Sequence, residues 1–319
     1  MGLDVGTTAA KASLFSLDGT VRLTASREYP LLNPQPGWHV QEPDVIARGA
    51  LDAMRETIAQ VDASRVIGIS ISTAMHGLVG LDARLRPVTE ILTWADSRAR
   101  AQADLLNEHA TGARLHNISG TPTHPMSPLV KLRWYGDVHP EVLRDTAYWV
   151  GLKDWILTVL TGQVATELST ASGTGMLDME EGAWNPEAIE LTGLRPEQLP
   201  TNHDTTDTLP LTAEAAAAVG LPAGLPVVVG AGDGPLGNLG TGAMEPGKAG
   251  LSIGTSARGA RHRRGVPVAA VARRGGGGAR PADDRHRGGR GLRPGRGDPR
   301  RQGARRRRQP EGGVRPAAR

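Results

Sequence analysis

The chain has 319 residues, no cysteine and a formal net charge of +4, which is the sum of two segments of opposite charge. Residues 1–256 carry 17 basic and 29 acidic side chains, whereas residues 257–319 carry 20 arginines, no lysine and four acidic residues. The lack of cysteine excludes disulfides and thiolate sites, and no apolar run reaches membrane-spanning length, so we expect a soluble cytoplasmic protein without a membrane partner.

The first eleven residues predict a strand that runs into a phosphate-binding turn. We expect Gly6 to adopt a backbone conformation closed to residues with a Cβ, so that successive N–H groups point at an anion. Thr7 and Thr8 add hydroxyl donors, and Lys11 adds a positive charge. Asp4, at the end of the strand, is placed to hold Mg²⁺. The alternative is an ordinary hairpin turn at the start of a domain.

The rest of residues 1–256 alternates between strand and helix patterns, which is typical of an α/β fold. Residues 12–25 predict a hairpin with a two-residue loop at Asp18-Gly19, and Pro43 opens a helix with one apolar face. Ser97 and Ser127 are expected to cap later helices. Further strands are predicted at 66–72, 78–81, 91–94, 147–151, 226–232 and 249–254, and further helices at 97–110, 129–135, 154–160 and 212–219.

Residues 257–319 have the composition of a low-complexity segment. They include 14 glycines, six prolines, no aromatic residue and one leucine. Such a segment buries too little apolar surface to offset its chain entropy, so we expect disorder. The abrupt change inside a motif is what a shifted reading frame in GC-rich DNA would produce, and we expect this segment to be frameshifted translation. If no other frame of the same DNA resumes strand and helix periodicity, this expectation fails.

An ordered set of motifs resembles the FGGY carbohydrate kinases, which have the actin-like ATPase (ribonuclease H-like) fold. The motifs are Asp4-Val5-Gly6-Thr7-Thr8, Met75-His76-Gly77, Trp94-Ala95-Asp96-Ser97-Arg98, Gly232-Asp233-Gly234 and Gly254-Thr255-Ser256. The resemblance covers residues 2–256. It implies a nearly complete N-terminal domain over 1–232, the start of a C-terminal domain over 233–256, and a second domain that is largely missing.

The resemblance also implies ATP and Mg²⁺ as cofactors and a role for each motif residue. Asp233 would be the base that takes the proton of a sugar hydroxyl, and Asp4 and Asp233 would lie at Mg²⁺. The ATP phosphates would meet Gly6, Thr7, Thr8, Lys11, Gly254 and Thr255. The acceptor sugar would meet Met75, His76, Trp94, Asp96, Arg98 and His124.

Each of these residues also has a structural alternative. Asp233 would then be a turn aspartate that bonds its own backbone, and His76 and Trp94 would be core residues. Arg98 would be a solvated helix arginine. Lys131, a further candidate cation for a substrate carboxylate, would be a surface residue of its helix.

Residues 119–133 are most similar to the gluconate kinases of that family, and the xylulose kinases come next. We therefore expect phosphorylation of D-gluconate to 6-phosphogluconate, with D-xylulose to xylulose 5-phosphate as the alternative. The chain as written is expected to be impaired, because an arginine-rich tract replaces the adenine-binding segment. A hypothesis of another class is a sugar-binding domain with a nucleic-acid-binding tail, although that tail lacks aromatic residues to stack on bases. The sequence leaves a homodimer open.

Overall fold

A computed structural model describes residues 1–243, 248 and 250, so the predicted strand 249–254 and the segment 257–319 lie outside the described residues. The strands are β1 (Gly2–Val5), β2 (Ala9–Phe15), β3 (Val21–Glu28), β4 (Val40–Gln41), β5 (Ile69–Thr73), β6 (Val79–Leu81), β7 (Ile91–Leu92), β8 (Tyr148–Val150), β9 (Ala165–Glu167), β10 (Leu177–Asp178), β11 (Ala183–Trp184), β12 (Thr201–His203), β13 (Thr208–Pro210) and β14 (Pro226–Gly232). The helices are α1 (Pro43–Ile58), α2 (Arg100–Glu108), α3 (Ala110–Ser119), α4 (Pro128–Val138), α5 (Pro140–Asp145), α6 (Leu152–Thr161), α7 (Leu168–Gly173), α8 (Pro186–Thr192), α9 (Ala213–Val219) and α10 (Asp233–Gly240).

A six-stranded mixed sheet organises the molecule, with the strand order β13-β14-β5-β1-β2-β3. The three central strands β14, β5 and β1 run parallel to one another, and the outer pairs are antiparallel. The carboxyl ends of parallel strands meet at one edge of a sheet, which is where ligands bind in open α/β sheets. The segments that follow Val5, Thr73 and Gly232 therefore emerge side by side.

Two hydrophobic clusters hold this framework in place. The first lies around the sheet and includes the apolar face of α1, where Ile46, Ala50, Met54 and Ile58 are buried as the helical spacing predicts. The second cluster lies among α2 to α5 and α8. No helix in the described part of the chain is long and apolar enough to cross a membrane.

Two local predictions fail because polar side chains take partners other than the expected ones. The β2–β3 loop has five residues between the strands because Ser16 and Thr20 pair and the carboxylate of Asp18 accepts from both. Ser97 does not cap a helix, since its hydroxyl donates to the Gly37 carbonyl at 3.2 Å. The predicted helix 97–110 instead begins at Arg100 and is followed directly by α3.

Candidate active site

The first turn of the chain is the tip of the β1–β2 hairpin. The Gly6 amide donates to the Ala9 carbonyl at 2.9 Å, and Gly6 does not have a positive φ. The expected special backbone at Gly6 is therefore wrong, because a regular hairpin pair closes there. Thr7 and Thr8 are the two residues at the tip, and within residues 1–243 their amide N–H groups have no hydrogen-bond acceptor. These two amides are the donors that the turn offers to an anion.

Opposite charges lie next to this turn on one face of the sheet. Asp4 on β1 is the direct cross-strand partner of Lys11 on β2, and the side chains of such pairs project to the same face. Lys11 is exposed, so its ammonium group is accessible to a ligand. Behind the turn, the Tyr29 hydroxyl donates to the Gly6 carbonyl at 2.8 Å. Burial raises the pKa of Tyr29, and the charge of Asp4 raises it further.

The motif that begins at Trp94 is hydrogen-bonded to the β1–β2 turn through Thr7. The indole N–H of Trp94 donates to Thr7 Oγ1 at 3.0 Å, and the side-chain amide of Gln41 donates to the Thr7 carbonyl at 2.7 Å. Gln41 is buried in the short strand β4. Gln41 carries no signal in the sequence, because a single amide in a two-residue strand has no local periodicity that would single it out. The Trp94 contact holds the Thr7 hydroxyl oxygen, and the Gln41 contact holds the Thr7 backbone.

Asp233 begins helix α10 at the end of β14. Its Oδ1 accepts from the Gly234 amide at 2.8 Å, so a turn-type contact with its own backbone is present. The residue is exposed overall, yet the protein around the carboxylate raises its pKa by desolvation. The charge of Asp4 raises the pKa of Asp233 further, against the Gly234 hydrogen bond, which lowers it. The two carboxylates predicted to share a cation therefore interact electrostatically.

Met75 occupies the space that the neighbouring glycines leave open. A Cβ on Gly232 would lie 2.6 Å from Met75 Cγ, and a Cβ on Gly173 would lie 2.9 Å from Met75 Cε. A side chain at Gly232 would force Met75 to move, whereas at Gly173 a shift of the flexible end of Met75 would relieve the contact. Gly232, which precedes Asp233, therefore makes room for the Met75 thioether.

His76 is held with one ring nitrogen committed to the protein. Its backbone lies in the left-handed region at φ 61°, and its Nδ1 is 2.8 Å from the Gly173 carbonyl oxygen. Because a carbonyl only accepts, Nδ1 carries the proton and Nε2 is left as an acceptor. Burial lowers the pKa of His76, and the nearby Lys131 and His124 lower it further, against the bond to Gly173. The imidazole is therefore kept in its neutral form.

Lys131 is completely buried, so the expectation of a surface lysine is wrong. Its side chain is 0% exposed, and its Nζ donates to the carbonyls of His76, Leu92 and Thr93 at 2.7, 3.2 and 2.9 Å. Burial lowers its pKa to about 7, against the charge of Asp96. The helix does have a solvent face, which carries the Arg133–Asp137 ion pair, but Lys131 lies away from that face among the buried residues of α4.

Asp96 and Arg98 form a buried ion pair. Their side chains are 0% and 4% exposed, and two guanidinium nitrogens bond the two carboxylate oxygens, each at 2.9 Å. The guanidinium carbon lies 3.6 Å from the centroid of the Trp38 ring. The alternative of a solvated helix arginine is therefore wrong. The two side chains neutralise each other's charge within the pair. Their contact with a sugar stays a prediction.

His124 lies on the exposed loop before α4. Its Nδ1 accepts from the Met126 amide at 3.1 Å, which leaves Nε2 facing outward from that contact. Desolvation lowers the pKa of His124, and the positive charges of Arg100 and Lys131 lower it further. The remaining predicted site residues, Gly254 and Thr255, lie outside the described residues.

The sequence of this chain is similar to those of known carbohydrate kinases. Residues 1–240 match the FGGY family of carbohydrate kinases, N-terminal domain. A gluconokinase of Bacillus licheniformis is 35% identical over 257 residues, and a xylulose kinase of Bacillus subtilis (strain 168) is 31% identical over 261 residues. Each alignment covers 80% of this chain but only 50% and 52%, respectively, of those proteins. The chain therefore spans about half the length of the curated relatives it matches.

Solved structures lead to the same family. The gluconate kinase and a ligand-bound xylulose kinase from Lactobacillus acidophilus both align with a TM-score of 0.75 at 29% identity. In both cases the match covers 77% of this chain and 50% of the other. The predicted actin-like ATPase fold is confirmed by these neighbours. With its central sheet, its ordered motifs and a domain match over most of its length, the chain belongs to the FGGY family of carbohydrate kinases.

Proposed function

We propose that this chain carries the sugar site and the catalytic base of an ATP-dependent carbohydrate kinase, with D-gluconate as the acceptor and 6-phosphogluconate as the product. The observation that carries the proposal is the meeting of β1, β5 and β14 at one sheet edge. That edge brings Asp4, His76 and Asp233 into one region. The gluconokinase relatives support the choice of acceptor.

Asp233 is the group proposed to take the proton. As an oxygen–phosphorus bond forms between the sugar hydroxyl and the γ-phosphoryl group, the bond to the ADP oxygen breaks and the hydroxyl proton moves to the carboxylate. Without a bound cation, desolvation raises the pKa of Asp233 and the charge of Asp4 raises it further. The Gly234 amide fixes Oδ1.

The donor set at the sheet edge fits Mg²⁺ and the phosphates of ATP. Magnesium is commonly held by one or two carboxylates together with phosphates and waters, and Asp4 and Asp233 are a pair of that kind. Bound MgATP supplies the phosphoryl group and neutralises charge that develops on it. The free amides of Thr7 and Thr8 and the ammonium group of Lys11 are proposed to orient the phosphates.

The acceptor sugar is proposed to bind between Met75, His76, Trp94 and His124. The neutral His76 accepts a hydrogen bond from a sugar hydroxyl at Nε2, since Nδ1 is committed to Gly173. D-Xylulose is the second candidate acceptor, because the solved gluconate and xylulose kinases align equally well with this chain.

Equilibrium binding separates the two acceptors. In calorimetric titrations of the purified chain we expect D-gluconate to bind more tightly than D-xylulose. His76→Asn should weaken D-gluconate binding about tenfold through the loss of one hydrogen bond, and asparagine tolerates the left-handed backbone. His116→Asn, at an exposed position of α3, is the matched control and should bind like the wild type. The opposite order of affinities would make D-xylulose the acceptor.

A substitution at Asp233 tests the proposed base. The alignment reaches only 50% of the length of the Bacillus licheniformis gluconokinase, and we propose that the 319 residues alone form product slowly. Asp233→Asn should reduce 6-phosphogluconate formation, measured by mass spectrometry after long incubation with MgATP, by about 10²–10⁴-fold. Binding of D-gluconate should persist. Asp104→Asn, exposed on α2, should leave product formation unchanged, and an active Asp233→Asn variant would refute the assignment.

A further inference from the structure

The end of β14 does not continue its strand pairing regularly up to Asp233. The register against β5 shifts between Val228 and Ala231, and Gly230 in the bulge has φ +75°. A Cβ at Gly230 would lie 2.0 Å from the Ile71 carbonyl oxygen, so the bulge requires glycine. Bulges bend a strand and redirect the residues that follow. The position of Asp233 therefore depends on what holds the chain after the bulge.

The hydroxyl of Ser169 on α7 makes that contact. Its Oγ accepts from the Gly232 amide at 3.1 Å and donates to Glu167 Oε1 at 2.9 Å. A carboxylate can only accept, so the hydroxyl proton must point to Glu167 and a lone pair is left for Gly232. Gly232 immediately precedes Asp233, and a hydrogen bond between side chain and backbone thus bridges α7 to the start of α10.

Glu167 is itself fixed from several sides. It is completely buried, and its carboxylate accepts from the amides of Ser169 and Thr170 at 2.7 and 3.0 Å and from the Thr170 hydroxyl at 2.6 Å. The buried ammonium group of Lys153 lies 3.8 Å from Glu167 Oε1 and also donates to the Val229 carbonyl at 3.3 Å. Lys153 therefore contacts both the bulge, at Val229, and Glu167, which is the acceptor of the Ser169 hydroxyl.

We propose that Ser169 is a positioning residue for the general base: through the Gly232 amide it fixes the end of β14, and Glu167 and Lys153 fix Ser169. This inference rests on the proposed function, in which Asp233 takes the proton. Ser169 does not contact the reacting atoms. A small displacement of a catalytic group can cost up to about 10²-fold in rate, so a single hydrogen bond at this point has a measurable effect.

The test compares two serines of the same helix. Ser169→Ala should lower kcat about tenfold or more while KM for D-gluconate and the melting temperature stay near the wild-type values. Ser169→Thr keeps the hydroxyl and should restore most of kcat. Ser172→Ala is the matched control, because among the described residues the Ser172 hydroxyl bonds the Ser169 carbonyl alone and does not reach β14. An unchanged kcat in Ser169→Ala, or an equal loss in Ser172→Ala, overturns the proposal.

A second readout does not depend on turnover. In nuclear magnetic resonance spectra of the full chain, Ser169→Ala should speed hydrogen exchange of the Gly232 amide and shift the Asp233 carboxyl resonance, whereas Ser172→Ala should change neither. If the wild type forms no product, the proposed function fails, but these spectra still decide whether Ser169 positions Asp233. Unchanged Gly232 exchange and an unchanged Asp233 resonance in Ser169→Ala refute the inference.

Discussion

Replacing Asp96 with alanine is expected to lower the free energy of unfolding by about 3–5 kcal/mol, because it leaves the Arg98 guanidinium buried without its counter-charge. Arg98 lies against the ring of Trp38 and has only 4% of its side chain exposed, so water cannot replace the lost carboxylate. Asp96 also accepts from the His39 amide at 2.9 Å, which would lose its partner as well. Urea denaturation followed by circular dichroism measures the loss.

A double-mutant cycle separates the pair from its surroundings. Arg98→Met should cost about as much as Asp96→Ala, and the double variant should cost clearly less than the two losses together, since neither charge is then left unpaired. Asp145→Ala removes one partner of the exposed Arg144–Asp145 pair and should be hard to distinguish from the wild type. If Asp96→Ala kept full stability but lost D-gluconate binding, the original assignment of Asp96 to the sugar would be correct.

The framework of the site follows from local sequence patterns. The strand 226–232 ends where the run of β-branched residues and glycines predicts, and Asp233 follows it directly. The hairpin at Thr7 and Thr8 and the buried strand before Met75 are likewise visible as alternating or continuous apolar residues next to turn residues. Because parallel strands share an edge, these motifs could be placed together without coordinates.

The buried charges could not be predicted in the same way. The partners of Lys131 are backbone carbonyls on distant segments, and the composition of α4 alone does not specify them. Lys153 and Glu167 likewise meet only after α6 and β9 have packed together. Propensity and spacing describe neighbours along the chain, whereas the burial of a charge depends on contacts that the tertiary fold creates. Lys153 is the residue for which the sequence carries a sign, since α6 is apolar apart from Lys153, Asp154 and its threonines.

Replacing Lys131 with methionine is expected to remove a strong pH dependence of stability. In the folded protein the pKa of Lys131 is about 7, whereas a lysine in an unfolded chain has a pKa of about 10.4. Between these two values the unfolded chain binds a proton that the folded chain has released, so the free energy of unfolding of the wild type rises with pH. Between pH 7 and 9 the free energy of unfolding of the wild type should therefore rise by about 2 kcal/mol relative to that of Lys131→Met.

Urea denaturation of both proteins at pH 7, 8 and 9 measures this difference. Lys11→Met is the matched control, because it also replaces one lysine with methionine but at an exposed position on β2. A constant difference for Lys131→Met would show that the buried ammonium group keeps the proton affinity of a solvated lysine. The comparison of two lysines removes contributions from other groups that titrate in this range.

The loss of the proton from Lys131 need not release His76. A neutral amine still donates two hydrogen bonds, and the Leu92 and Thr93 carbonyls each accept a further amide, from Leu78 and Asp96. The His76 carbonyl is the acceptor that needs Lys131 most, and its bond is the shortest of the three at 2.7 Å. We therefore expect D-gluconate affinity of the wild type to change little between pH 7 and 9, whereas Lys131→Met loses affinity at every pH, because only the substitution frees the His76 turn.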